Sequence, residues 1–524
     1  LNVLKVSRQG TVAASMILTT GNVLTMALGY IFTLIIVWNF GASGSSDAYY
    51  LSLSACAFLS GLLNSGLMGS MIPAFAADGF QGLPTHERQR QWSSMLNLLL
   101  ALMVLLGGFV AIWAGSIVAF LGPGLTPETR VTATVLTRML MPTIVLLPVV
   151  SFFTASLNAL NHFSSRVVAD VGAGLTGIVV ALAFISRNGI YAFGLAIPAG
   201  AAVQLLVLSV AIYRAGFRYR PSAGFGAAGR RVVGALFIPL VLEAVLLSVR
   251  TQFVKSLATM AVPGSLTALS LGLQLADLPL GIVVSTFGSA VLPRLAKLWS
   301  QRETREFMAV VMTVLRMGLF LTIPAAAGIM MLGGPIIRAV FQRGAFDEAA
   351  THLTVLIVIF YAIGLPFRGA CNVLGNALYA TLDGWWQVLF SGSGVVTTIG
   401  IGLLLLPNLG TSGLAIGLTL GNVITSALLL YFLHWRLAAH PDTEGAWFVA
   451  KAMGAAVVMT AFVLPAHRII GDLIGEASRL GNMLTIGLLI LIGVWVYLAM
   501  GRLIRLREAT IIRDLLVPRL ARKL

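Results

Sequence analysis

Apolar runs long enough to span a bilayer, separated by short polar breaks, follow one another along almost the whole chain. About 20 residues of helix cross the hydrocarbon layer. Hydropathy predicts fourteen such spans, at 14–39, 47–75, 93–121, 131–158, 166–186, 190–213, 232–256, 265–293, 308–333, 351–376, 384–406, 411–433, 446–466 and 480–501. The runs do not alternate polar with apolar residues as barrel strands would, so helices are the expected way to pair the backbone inside lipid. The predicted fold class is all-α, a polytopic integral membrane protein.

The pattern repeats itself. Pro148 and Asn158-Ala159-Leu160 recur as Pro366 and Asn376-Ala377-Leu378, an offset of 218 (376 − 158). Gly69-Ser70 with Pro73 recurs as Gly288-Ser289 with Pro293, at nearly the same offset. Two similar halves in one membrane chain are the usual plan of a transporter, with the site where the halves meet. The expected organisation is an N-lobe over 1–213 (six spans), a basic cytoplasmic linker over 214–231, a C-lobe over 232–435 (six spans), two further spans within 436–501, and a basic tail over 502–524. The tail mixes Leu and Ile with basic residues, which suits either a surface-lying amphipathic helix or a charged end.

Composition sharpens this picture. Of 524 residues, 58% are hydrophobic and 10% charged, too few charges to cover a soluble surface. The net charge of +16 could suggest nucleic acid, but its distribution argues otherwise. Alternate connections on the side holding both termini carry 22 Lys and Arg, the opposite side 6. That bias predicts cytoplasmic termini, an even span count and contact with anionic headgroups, with no nucleic-acid partner. After Lys5 and Arg8 no small-residue cleavage site precedes the apolar run, so the first helix is expected to be retained. Cys56 and Cys371 lie inside apolar segments and read as small packed residues.

No catalytic constellation is visible. A Walker loop is absent, and the six histidines sit at loops or span ends without metal-ligand spacing. No enzyme activity, metal or cofactor is expected; coupling to an ion or to the membrane potential stays open. Charges inside spans carry more information, because they normally face a wet cavity or a partner. Glu243 and Arg250, seven apart in one span, share a helix face. Arg138, Arg316 and Arg368 are cations in other spans, and a guanidinium can grip a phosphate with two parallel bonds. Each has two readings, a cavity ligand or a partner for a neighbouring charge. Asp277 precedes Leu278-Pro279-Leu280-Gly281, where Pro279 and Gly281 can break a helix. Gly61 and Gly66, in a span rich in small residues, are candidate hinges.

At these residues the chain resembles a known family. Asp47-Ala48-Tyr49-Tyr50, Leu278-Pro279-Leu280-Gly281 leading to Val291-Leu292-Pro293-Arg294-Leu295, and Phe341-Gln342-Arg343-Gly344-Ala345-Phe346 look like those of MurJ (MviN)-type lipid II flippases. The resemblance implies two six-helix lobes around a cavity open alternately to each side of the bacterial cytoplasmic membrane. It implies as cargo an undecaprenyl-diphosphate-linked glycan, with the last two spans forming a groove for the lipid tail. Membrane lipids and proteins of cell-envelope synthesis are the partners it suggests.

The chain departs from the family at one point of substance. The family's cavity arginines fall by alignment on Met26, Phe32, Ser54 and Gln274, and a sodium-binding aspartate of some members falls on Lys255. Gln274 therefore joins Arg138, Glu243, Arg250, Asp277, Arg316 and Arg368 as a candidate cavity residue. The same departure leaves three alternatives beside a lipid II flippase: an exopolysaccharide repeat-unit flippase, a MATE-like exporter of small compounds, and a non-transporting relative.

Overall fold

Helices supply all the regular structure among the described residues, which in this computed structural model are 2–76, 85–159, 162, 164–220, 227–281, 294–381, 384–436, 443–474 and 479–510. In chain order they are α1 (Asn2–Phe40), α2 (Gly44–Ala76), α3 (Thr85–Leu121), α4 (Pro127–Leu140), α5 (Pro142–Ala159), α6 (Ser164–Asn188), α7 (Tyr191–Arg214) and α8 (Ala227–Ala258). There follow α9 (Ser265–Ala276), α10 (Thr304–Val340), α11 (Glu348–Ile363), α12 (Leu365–Ala380), α13 (Gly384–Leu409), α14 (Thr411–Arg436), α15 (Thr443–Ile474) and α16 (Arg479–Leu503). Among the described residues ten helical stretches are long and apolar enough to cross a membrane, and the pair α11–α12, bent by 45°, makes an eleventh. Helices α2, α8 and α9 stand at expected spans two, seven and eight. The chain is a multi-pass, all-α membrane protein. Gly288, Ser289, Val291 to Pro293, residues 221–226 and residues 511–524 lie outside the described residues, so one copy of the second repeat match and most of the tail do too.

Both members of the repeated Pro/Asn pair lie in spans made of two helical pieces. Pro148 itself lies inside α5, which Pro142 opens directly after Met141 caps α4, whereas Pro366 stands in the first turn of α12 just after Gly364. A proline lacks the N–H that would continue the ladder and crowds the preceding residue, so the helix stops and restarts.

The chain divides into two compact units, Leu1–Leu266 and Thr267–Leu524. The division falls one helix beyond the expected 214–231 linker, because α8 packs along α2 of the first unit. Asp47, at the first turn of α2 and 3% exposed, accepts a 2.7 Å hydrogen bond from the Gly264 N–H. Gly264 has φ +90°, and a Cβ there would stand 2.2 Å from the Ala42 carbonyl oxygen, so glycine is required. Asp47-Ala48-Tyr49-Tyr50 is thus a buried structural joint, with Tyr49 set against Tyr50 and Phe193. Elsewhere in this unit Trp92 stacks on Phe153 and donates to Ser156 Oγ at 3.0 Å. There the start of the basic connection docks: Gln89 donates to the Gly216 carbonyl and the Arg220 N–H to Ser93 Oγ.

In the second unit α13 and α14 pack through small residues. A Cβ on Gly421 would stand 2.1 Å from Thr398 Oγ1 and 2.6 Å from the Gly394 carbonyl. Such close backbone approach is how helices associate when lipid removes the hydrophobic drive between them. Helices α15 and α16 pair and pack against α10, with Phe320, Phe448, Met459, Val463, Leu489 and Tyr497 at the centre. Neither cysteine is in a disulfide; Cys56 is buried and Cys371 half-buried.

Candidate functional site

Helix breaks place charge inside the second unit. Helix α9 stops at Ala276, Asp277 occupies the turn, and Leu278 to Gly281 resume helical geometry. Arg368 lies one turn beyond the α11–α12 break, its N–H bonded to the Gly364 carbonyl. The two breaks bring the side chains together: Arg368 Nη1 is 2.5 Å from Asp277 Oδ1, and Tyr361 donates to the same oxygen at 3.1 Å. Arg368 Nη1 also donates to the Tyr361 hydroxyl, and its guanidinium stands 5.8 Å from the Tyr361 ring centre. The side chains of Arg368 and Asp277 are 33% and 35% exposed, so the pair borders open space. A carboxylate, a guanidinium and a phenol gathered this way form one charge-neutral unit, not a lone cationic clamp. Of the two readings of Arg368, the structure displays the paired one.

The other candidates stand apart. Gln274 is half-buried on α9, three residues before Asp277. Glu243 and Arg250 are half-buried on α8. Arg138 is exposed near the end of α4, with its Nε directed at the Ala111 carbonyl at 3.4 Å, two residues before the non-helical kink at Trp113 in α3. Helix α2 runs unbroken through Gly61 and Gly66, and a Cβ on Gly61 would meet nothing within 4 Å. Pro279 and Gly281 do adjoin a helix break.

Cavities among the described residues add to the geometry. An apolar groove of about 870 Å³ lies between α10, α12, α14 and α15, lined by Leu319, Met330, Phe367, Leu374, Leu430 and Met453 among others. Arg316 faces a basic cup of about 470 Å³ together with Lys451, Arg505 and Arg507. In the first unit a cleft of about 290 Å³ holds Thr25, Phe32, Asp170 and Gln204. There Gln204 donates to Asp170 Oδ1 at 2.6 Å, and Arg166 Nε lies 3.4 Å from Oδ2. Sequence reasoning passed over Asp170, although an acid inside a predicted span, four residues after an arginine, was a readable signal. The company Arg316 keeps had no such signal, since its partners lie more than a hundred residues away.

Proline-broken spans, small-residue helix packing and an apolar groove belong to a polytopic helical fold that is shared with a solved transporter of the MOP superfamily. A solved structure of an inward-facing MATE-family transporter of that superfamily aligns with a TM-score of 0.67 at 14% identity, over 79% of this chain and 95% of that one. A solved lipid II flippase MurJ, in an inward closed conformation, aligns with a TM-score of 0.77 at 20% identity, over 96% of this chain and 100% of that one. The chain belongs to the lipid II flippase MurJ family, whose model matches residues 36–473. Among relatives, the probable lipid II flippase MurJ of Thermotoga maritima is 27% identical over 93% of this chain and 95% of its own length. That of Vibrio cholerae is 23% identical over 86% and 88%.

Proposed function

We propose that this protein carries a polyprenyl-diphosphate-linked glycan, lipid II or a close relative, across the bacterial cytoplasmic membrane by alternating access, with both termini in the cytoplasm. The observation that carries the reading is the groove of about 870 Å³ in the second unit, joined to membership of a flippase family. A polyprenyl tail needs a long apolar channel open towards lipid, whereas a water-soluble drug does not. Phe367 and Met453 in the groove are 38% and 56% exposed, so their apolar surface is available to a guest. Asp277, Arg368 and Tyr361 are the polar groups we assign to headgroup handling or to ion coupling, with Glu243, Arg250 and Gln274 as further cavity candidates. The reading requires no resident cofactor. Gln274 and Lys255, which the family resemblance sets against an arginine and, in some members, a sodium-binding aspartate, make a related lipid-linked oligosaccharide the second reading.

Complementation tests it. A strain depleted of its own lipid II flippase, supplied with this chain, should regain growth and stop accumulating lipid-linked glycan in the inner leaflet. Persistent accumulation with normal protein level would overturn lipid II as cargo. Rescue of an exopolysaccharide flippase mutant instead would establish the second reading, and rescue of neither would mark a non-transporting relative.

A further inference from the structure

The cleft in the first unit holds polar groups that the transport reading leaves unused. Its walls come from α1, α5, α6 and α7, and its lining is apolar or glycine except at Thr25 on α1, Asp170 on α6 and Gln204 on α7. Small residues make the space. A Cβ on Gly200 would stand 2.7 Å from the Ala173 carbonyl oxygen, so α6 and α7 meet backbone to backbone, while a Cβ on Gly29 of α1 would meet nothing within 4 Å. The cleft therefore stays open on the α1 side.

A carboxylate inside a span is costly unless it faces a wet space or a partner. Asp170 has both. Gln204 donates to its Oδ1 at 2.6 Å, which leaves the Gln204 amide oxygen as an acceptor. Arg166, one turn earlier on the same helix face, holds its Nε 3.4 Å from Oδ2, longer than the separation of about 2.7–2.9 Å in a tight charged pair. The Arg166 side chain is 38% exposed, that of Asp170 19%. Thr25 Oγ1 is shut off from solvent and has no hydrogen-bond partner among the described residues. Three helices thus bring a carboxylate, an amide and a hydroxyl oxygen to one cleft.

Such oxygens are hard donors, suited to alkali and alkaline-earth ions and not to soft metals. One carboxylate balances one positive charge, whereas a divalent ion would leave an excess inside the span. At about 30 Å³ of liquid per water molecule, a cleft of about 290 Å³ has room for an ion with several waters. We infer that this cleft binds a monovalent inorganic cation of the sodium class, held by Asp170, Gln204, Thr25 and water, and that Arg166 gives up Asp170 when the ion enters. Arg166 lies in the first turn of α6, where its long stem lets the guanidinium withdraw to the headgroup level. The site is distinct from Asp277 and Arg368, which belong to the second unit.

The test reads binding, not transport, so its result stands separately from complementation. The full chain in detergent is titrated with sodium, potassium or lithium chloride, with N-methyl-D-glucamine chloride keeping ionic strength constant. Melting temperature and isothermal titration calorimetry are the readouts. Sodium should raise the melting temperature and give a saturable heat. Asp170→Asn should weaken binding by more than about tenfold, and Thr25→Val by about threefold. Arg166→Gln should tighten it by about threefold, because the competing cation is gone. A merely structural pair predicts a different result for Arg166→Gln, a lower melting temperature with no gain in sodium affinity. If Asp170→Asn yields no folded protein, Arg166→Gln and Thr25→Val carry the test, since their expected effects are opposite in sign. No response of the wild type to any of the three ions, or equal binding by Asp170→Asn, would overturn the site. A response to tetramethylammonium equal to that for sodium would overturn the inorganic-ion assignment.

Discussion

Arg368 Nη1 reaches Asp277 Oδ1 at 2.5 Å across 91 residues of chain. Each residue stands at a break in its own span, so each helix interruption supplies one partner. With both side chains about one-third exposed, the pair is expected to contribute about 1 kcal/mol, between the values for surface and buried pairs. Arg368→Gln and Asp277→Asn should each lower thermal stability in detergent, and the double change should restore part of the loss. A double-mutant cycle on melting temperatures measures this; strict additivity would show the pair to be energetically silent.

The joint between Asp47 and Gly264 makes a second expectation. A charge-assisted hydrogen bond to a buried N–H contributes about 1.5–3 kcal/mol, so Asp47→Ala should cost that much. Asp47→Asn keeps an accepting oxygen and should cost less. Gly264→Ala should be at least as damaging as Asp47→Ala, since its Cβ would fall 2.2 Å from a backbone oxygen at φ +90°. Yield of monodisperse protein and melting temperature are the readouts.

Glycines in similar apolar helices should differ in their tolerance. Gly421→Ala drives a methyl into Thr398 Oγ1 and the Gly394 carbonyl, forcing α13 from α14 at a cost of about 1–3 kcal/mol. Gly400→Ala meets nothing within 4 Å and should be neutral or slightly stabilising. Comparing the two melting temperatures checks that packing, not backbone flexibility, dictates the first glycine.

Filling the apolar groove should impair transport without unfolding the protein. Met453 is 56% exposed, so Met453→Trp has room to be accommodated. Displacing two methylenes of a bound tail costs about 1.6 kcal/mol, about a tenfold loss of affinity. A tenfold slower clearance of inner-leaflet lipid-linked glycan, at unchanged protein level, is the expected outcome. Wild-type clearance would show that the tail runs elsewhere.

The break after Ala276 was legible in the sequence, because Pro279 and Gly281 act locally; the break before Pro366 was not, since span ten read as continuous and prolines such as Pro148, Pro198 and Pro324 lie inside helices. The choice of partner for Arg368 was not legible. Its charge in a predicted span announced that something must balance it, but helical periodicity relates residues only a few positions apart. For the same reason the sequence left Arg316 with two readings, cavity ligand or partner of a neighbouring charge, and could not name Lys451 and the segment after α16 that share its cavity. The stretch after Arg502 read as a surface helix or a free end; the Schellman turn at Arg505 folds its first residues back onto Phe320 and Gly501.

Sequence alone determined the solvent of this protein, its helical class and its flippase-family kinship. Those follow from composition, run length and local motifs, which act over a turn or two of helix. Tertiary structure decided which charges meet, where apolar walls enclose a groove, and that α8 joins the first compact unit. Those outcomes depend on helices distant in the chain arriving side by side, and they are selected by shape and desolvation across whole interfaces rather than by neighbouring residues.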